Sequence, residues 1–299
     1  MAISPFLVLR QILELRLERK TLSWLKASSR EIADGAPAVR FCALLALASR
    51  HARQRTPLAP TAEERAAVVR ACAGVEIERW SLLETLRVVL TLSRSDLKEE
   101  SGLIAIDEAF RYADEGEACA LYRAMAFLPE QARFSARVRE GCRSNMLSVF
   151  EAAGLDTPFP RDNFDELAWN QLAVKALFMG APLWRLVGLD ERGSDDLSRM
   201  ALDLVEERRS AGRPVQHELW LLLSGDPDER MLDALEAELN PQNENVLGRC
   251  GAVFGLARIG QTERLIARKT DEQNPKVALT IADALAGHTD RCAYRQLEA

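Results

Sequence analysis

The stretch PAVRFCALLALASR, residues 37–50, reads as one short helix, with a proline at its opening, a valine two positions on, and alanine and leucine through to Leu47. Proline is tolerated at the first helical position because the N–H it lacks has no partner inside the helix there, and alanine and leucine stand near the top of the helix propensities. The arrangement returns far downstream in PKVALTIADALAGH from Pro275, again with valine two residues after the proline and leucine ten after it. NVLGRCGAVFGLARIG from Asn245 is a looser third version, and EACALYRAMAFLPE from Glu117 a fourth.

Around these copies, helix follows helix with its punctuation in place. Thr61 with Glu64, and Ser81 with Glu84, have the spacing of a capping box, in which side chain and backbone satisfy each other at a helix start. Ser194, Asp195 and Asp196 open LSRMALDLVEERRS, which closes on Arg208, Arg209 and Gly212, so acid and base match the helix dipole. Strand-type alternation is missing. Short Ala/Leu helices of this kind suit the second helix of a HEAT-type pair, where small residues let neighbours stack closely. The copies are irregularly spaced. The expected fold is therefore all-α, an irregular α-α array or degenerate HEAT-like helical repeat without a sheet; chance likeness among Ala/Leu-rich helices is the alternative. The glycines of GRCGAVFG (Gly248, Gly251, Gly255) fall inside an apolar helical pattern with no Lys-Ser/Thr after them, which points to close helix approach rather than a phosphate loop. GLDTPFPRDNF, residues 154–164, has two prolines among acids and amides and is expected to be a non-helical loop or hinge. The expected divisions are an N-terminal helical array over 1–153, a central set of helices over 154–226 and HEAT-like helices over 227–299, in one continuous domain.

Composition narrows the function. The net charge of −6 and the interspersed signs argue against nucleic acid, whose phosphates call for a basic excess. No apolar run approaches the roughly 20 residues that cross a bilayer, so an integral membrane protein is not expected. The opening MAISPFLVLRQILELRLERK is interrupted by Arg10 and Glu14 and is not expected to be a cleaved leader. The six cysteines are scattered with no C-x-x-C, and His51, His217 and His288 stand apart. That pattern leads to the expectation of a cytoplasmic, metal-free protein with free thiols, without cofactor and without catalytic residues.

One region interrupts otherwise core-like helices with polar groups. In FDELAWNQLAVKALFMGAPLW, Asn170, Gln171 and Lys175 lie within roughly a 140° arc. Arg143, Asn145 and Glu151 punctuate the apolar stretch before the loop, and Arg199, Asp203 and Glu207 form an i, i+4, i+8 stripe on a later helix. Arg143, Asn145, Asn170, Gln171, Lys175, Arg199, Asp203 and Glu207 are the candidate binding residues, with a solvated ion-paired face or a structural polar network as the alternatives.

Within Gly141–Trp220 the chain resembles the EboA-domain family. The resemblance rests on R-x-N ahead of VFEA, the Pro-rich loop, N-Q-x-x-x-K-A-L-F, the G-L-D-x-R turn, and R-M-x-x-D followed by E-R and A-G-R-P. It adds Asp190, Arg208 and Arg213 to the candidates for a shared role, and it implies that a stacking contact near Arg209 is absent here, because RSAGRP replaces a more aromatic helix end. The resemblance further implies a setting in bacterial gene clusters that make or export a small metabolite. Partners there would be other enzymes of the cluster, among them a membrane UbiA-like prenyltransferase, and a small-molecule ligand. No catalytic activity is implied. Three functions follow: a non-catalytic helical adaptor or small-molecule carrier, which is preferred; an enzyme with its site in the polar cluster; and a peripheral membrane partner using the N-terminal helix, whose face reads more like a core face than a lipid one.

Overall fold

The computed structural model describes residues 4–53 and 56–297. It is 67 % helical, and among the described residues there is no strand beyond an isolated antiparallel bridge between Pro57 and Ser81. The chain forms two compact units, one ending at Phe164 and the other beginning at Asp165. The first contains α1 (Pro5–Glu14), α2 (Arg19–Ala33), α3 (Ala38–Leu47), α4 (Ala62–Ala71), α5 (Leu82–Leu92), α6 (Glu100–Tyr112), α7 (Glu115–Ala124), α8 (Ser135–Cys142), α9 (Leu147–Gly154) and α10 (Phe159–Asn163). The second contains α11 (Glu166–Met179), α12 (Asp195–Ser210), α13 (Glu229–Glu238), α14 (Val246–Arg258), α15 (Thr262–Arg268), α16 (Pro275–Leu285) and α17 (Arg291–Leu297). Among the described residues no helix is long and apolar enough to cross a membrane.

In the first unit α5 is the central helix: Leu83 and every residue from Thr85 to Thr91 are buried, and α1, α2, α3 and α7 pack around it. Its two capping-box partners are in place, since Ser81 Oγ accepts from Glu84 N at 3.1 Å and Glu84 accepts from Ser81 N at 2.8 Å. The buried hydroxyls of Thr85 and Thr91 donate to carbonyl oxygens one turn back, at 2.9 Å each, so neither leaves an unmet polar group in the core. Arg87 donates to the Leu45 carbonyl and pairs with Glu117 of α7, and Arg123 of α7 reaches back to Glu84. The apolar face of α1 (Val8, Leu9, Ile12, Leu13) is buried, as its core-like pattern leads one to expect.

In the second unit α14 has the same central place, with every residue from Gly248 to Leu256 buried and α13, α15, α16, α17 and the short 3-10 segment His217–Leu222 around it. Here the glycines decide the packing. A Cβ on Gly251 would stand 2.3 Å from the His217 carbonyl oxygen, and one on Gly255 would stand 3.0 Å from Leu235 Cδ2 and 3.1 Å from Trp220 Cβ. The backbone of one element lies directly against the backbone of the next, which agrees with close approach rather than phosphate binding.

The stretch 154–164 corrects its sequence reading. Phe159–Asn163 is a short helix, and Gly154–Pro160 is buried throughout. Pro160 sits in the first turn, where helical N–H groups have no partner to lose, so its proline ring ends nothing. The segment is tied down by Asp156, whose carbonyl accepts from Glu76 N at 3.0 Å, and by Thr157 Oγ1, which accepts from Phe159 N at 3.3 Å. No disulfide joins the described cysteines, and burial pushes the thiols of Cys72 and Cys119 up to about 11, which leaves them protonated and poorly nucleophilic.

Candidate functional site

Helix α11 begins at Asp165, whose side chain accepts from Ala168 N at 2.9 Å, and ends at Gly180, whose φ of +66° is the left-handed conformation that stops a helix. Its buried side carries Trp169, Asn170, Leu172, Ala173, Ala176 and Leu177. The candidate trio is thereby divided: Asn170 is 4 % exposed, Gln171 is exposed, and Lys175 is half-buried. Asn170 Oδ1 is enclosed and has no hydrogen-bond partner among the described residues, an expensive arrangement by about 1–3 kcal/mol. Beside it the indole of Trp169 is covered by the Arg192 guanidinium, 4.9 Å from the ring centroid. Gln171, Lys175 and Phe178 follow one another at i, i+4 and i+7, which places them along one strip of the helix surface.

Helix α12 is capped by Ser194, whose hydroxyl accepts from Leu197 N at 3.2 Å. Arg199, Asp203 and Glu207 are more than half exposed; the first two belong to one chain of ion pairs, and Glu207 pairs separately. Arg199 lies 3.1 Å from Asp196 and 3.6 Å from Asp203; Asp203 and Glu206 each lie 2.7 Å from Arg230 of α13; Glu207 lies 3.6 Å from Arg213. Hydrogen bonds from Arg230 hold the Glu206 carboxyl below the usual carboxylate range. Arg143 and Asn145 are exposed at the turn between α8 and α9, in the first unit. The structure thus joins Arg199 to Asp203 and carries that chain on to Arg230, a residue the sequence reading did not single out.

Two clefts open along α12. The one beside its N-terminal half has a volume of about 620 Å³; Ser198, Leu202 and Met231 line it together with Asp195, Asp226 and Asp228 and with Arg199 and Arg230, so its rim carries both signs. The other, of about 380 Å³, lies where α11 and α12 end. Leu177, Phe178, Met179 and Leu204 give it an apolar wall, and Glu207, Arg208 and Gln216 a polar one. Phe178 is 70 % exposed on this cleft, an unusual position for a large apolar ring. Neither cleft is lined by Asn170, Gln171 or Lys175, although Lys175 is one turn of α11 from Phe178 and Met179.

Several motif residues turn out to hold the scaffold. Arg208 Nε donates to the Pro214 carbonyl at 2.7 Å and so closes the A-G-R-P turn. Asp190 accepts from Arg258 at 2.7 Å and from Arg291 N at 3.1 Å, tying the G-L-D-x-R turn to α14 and α17. The expected loss of a stacking partner for Arg209 is corrected: its guanidinium lies over the Trp220 ring, 6.0 Å from the centroid, while it also pairs with Glu238 at 3.0 Å. The ring comes from the segment His217–Leu222 instead of the helix end, so no local pattern announces it. Among the described residues no three His, Cys, Asp or Glu side chains gather in a way that holds a metal ion.

The sequence profile of the family described as "Metabolite traffic protein EboA" matches residues 6–224. No curated protein and no solved structure matches the chain.

Proposed function

The chain belongs to the EboA family, and from that premise we propose that it is a non-catalytic helical carrier or adaptor that holds a small metabolite at the cleft of Phe178. The observation that carries this reading is the position and make-up of that cleft. Its lining residues, Leu177 to Gln216, all fall inside the stretch that matches the family. An exposed phenyl ring and three aliphatic side chains stand opposite a carboxylate, a guanidinium and an amide, a division that suits an apolar molecule with a polar end. Its volume of about 380 Å³ is in the range of small-ligand sites. Lys175, one turn away, and Gln171 beyond it extend the polar edge along α11, and Arg199, Asp203 and Asn170 belong to the scaffold that positions this edge. In this reading the irregular helical array works as HEAT-like arrays do, presenting a surface to the other enzymes of a cytoplasmic secondary-metabolite pathway, a membrane prenyltransferase of the UbiA type among them.

Native mass spectrometry of the protein drawn from cells that run the pathway tests the proposal. The wild-type chain is expected to carry a stoichiometric small-molecule adduct. Phe178→Ser with Leu204→Ser is expected to lose it, and Lys175→Ala to weaken it, each with a melting temperature close to wild type and with metabolite output reduced. An adduct that survives the double substitution, or output unchanged by both variants, would overturn the assignment.

A further inference from the structure

The first unit holds a cleft of a different character, of about 500 Å³, between the start of α2 and the turn Ser49–Arg53. Arg16, Lys20, Arg50 and Arg53 line it against a single acid, Glu18, in a chain whose net charge is −6. Arg16 is already committed, with two hydrogen bonds to Glu64 and others to the carbonyls of Ile12, Leu58 and Ala59. Lys20, Arg50 and Arg53 have no carboxylate within 4.0 Å among the described residues. Other arginines of the unit do, as in Arg10–Glu14, Arg40–Glu31 and Arg65–Glu78.

Three uncompensated cations around one concavity repel each other, and a multiply charged anion relieves that repulsion. The N-terminus of α2 opens on the cleft: its first turn carries no acid and no side-chain cap, and the N-cap Glu18 sets one negative charge beside Lys20 and Thr21. His51 closes one side, its ring stacked on Trp24 at 4.0 Å between centroids. Burial, with Lys20 and Arg50 nearby, pushes its pKa down. The volume exceeds what an inorganic ion fills and leaves room for the organic part of a ligand.

We propose that this cleft binds the phosphate group of a small phosphorylated metabolite, with Lys20, Arg50 and Arg53 as its ligands. Calorimetric titration of the full chain with inorganic pyrophosphate and with inorganic phosphate, at about 0.1 M salt, tests this. Pyrophosphate is expected to bind more tightly than phosphate. Lys20→Gln with Arg50→Gln and Arg53→Gln is expected to weaken pyrophosphate binding about a hundred-fold or more while the thermal midpoint without ligand stays at the wild-type value. Lys20→Gln alone, at an exposed position, should weaken it about ten-fold and reads the same site if the triple variant folds poorly. The proposal falls if wild type gives no binding heat with pyrophosphate, if affinity is unchanged in Lys20→Gln, or if sodium chloride at matched ionic strength produces the same response. It falls too if the chain co-sediments with phosphatidylglycerol vesicles through these residues yet ignores free pyrophosphate, since the anion would then be a lipid headgroup.

Discussion

Helices α5 and α14 occupy equivalent places, each at the centre of its unit and each buried nearly all round, yet they are built from opposite materials. The first presents leucine, valine and threonine; the second presents Gly248, Gly251 and Gly255, which let the His217 backbone reach Gly251 and the side chains of Asn245, Glu238, Leu235 and Trp220 close on the other two. Both bury an arginine. Arg87 is 3 % exposed and faces Glu117, with Glu84 and Asp114 adding their charge nearby, whereas Arg249 is 4 % exposed and pairs with Glu272. A central helix can therefore be fixed either by large interlocking side chains with distributed charge, or by close contact with one concentrated ion pair.

The largest expected effect breaks the ion pairs. Glu272→Gln should destabilise the second unit by about 3–5 kcal/mol, because it strands a buried guanidinium. Glu117→Gln should cost the first unit only about 2 kcal/mol, because other carboxylates still act on Arg87. Hydrogen exchange read separately over the two units measures both, and equal losses would erase the distinction. Next come the packing substitutions. Gly251→Ala should cost about 2–3 kcal/mol, since its new methyl meets a carbonyl oxygen that cannot swing away. Gly255→Ala, against a flexible leucine end and a Cβ, should cost about 1 kcal/mol or less once the helix gain of alanine is counted. In α5 the sign of the volume change reverses: Val88→Ala should cost about 2 kcal/mol by leaving a cavity. A denaturant midpoint lower for Gly255→Ala than for Gly251→Ala would contradict the close-contact account. Smaller still is Ser81→Ala, expected to cost about 1 kcal/mol through the α5 cap.

The mildest contrast is with pH. Burial pushes the Glu84 and Asp96 carboxyls up, but Arg123 and Ser81 around the first and Arg94 and Ser101 around the second outweigh it, and Arg16 holds Glu64 low. Carboxyls lowered on folding add stability that is present above their unfolded range and lost as pH falls through the folded values. His51, lowered as well, takes up a proton more readily when unfolded, so its share is already lost as pH falls through the imidazole range. In the second unit Arg230 lowers the carboxyl of Glu206, which is fully exposed. Exchange protection is expected to weaken first in the first unit as pH is lowered from 7 to 4, and His51→Phe should remove the earliest part of that loss.

Local grammar was legible in the sequence. The boxes at Thr61 and Ser81 and the cap at Ser194 act over three residues, so their spacing already contains their geometry. The glycines of α14 were legible as sites of close approach, though not what approaches them. Residues 154–164 misled because two prolines weigh against a helix in any window, while a first turn accepts them. The candidate site was legible only in part. That Asn170 is buried while Gln171 is exposed depends on which side of α11 is covered, and the pairing of Asp203 with Arg230 links residues of different helices. Phe178 reads as core in any hydropathy scale, and only the fold shows it standing open. The cleft of Lys20, Arg50 and Arg53 was not legible, because its cations come from separate segments that only the packing of α2 brings together.

The stack of Trp24 on His51 has an optical consequence. Of the five tryptophans, Trp80, Trp169, Trp184 and Trp220 are buried, and their emission is expected to stay blue and indifferent to solutes. Trp24 is half-buried and lies face to face with an imidazole whose protonation is held back first by burial and then by Lys20 and Arg50 of the cleft. An anion settling there favours the imidazolium, which quenches an adjacent indole by accepting an electron from its excited state. The protein thus carries its own fluorescent reporter of occupancy and pH at that cleft, one that Trp24→Phe should silence while the four enclosed indoles go on emitting.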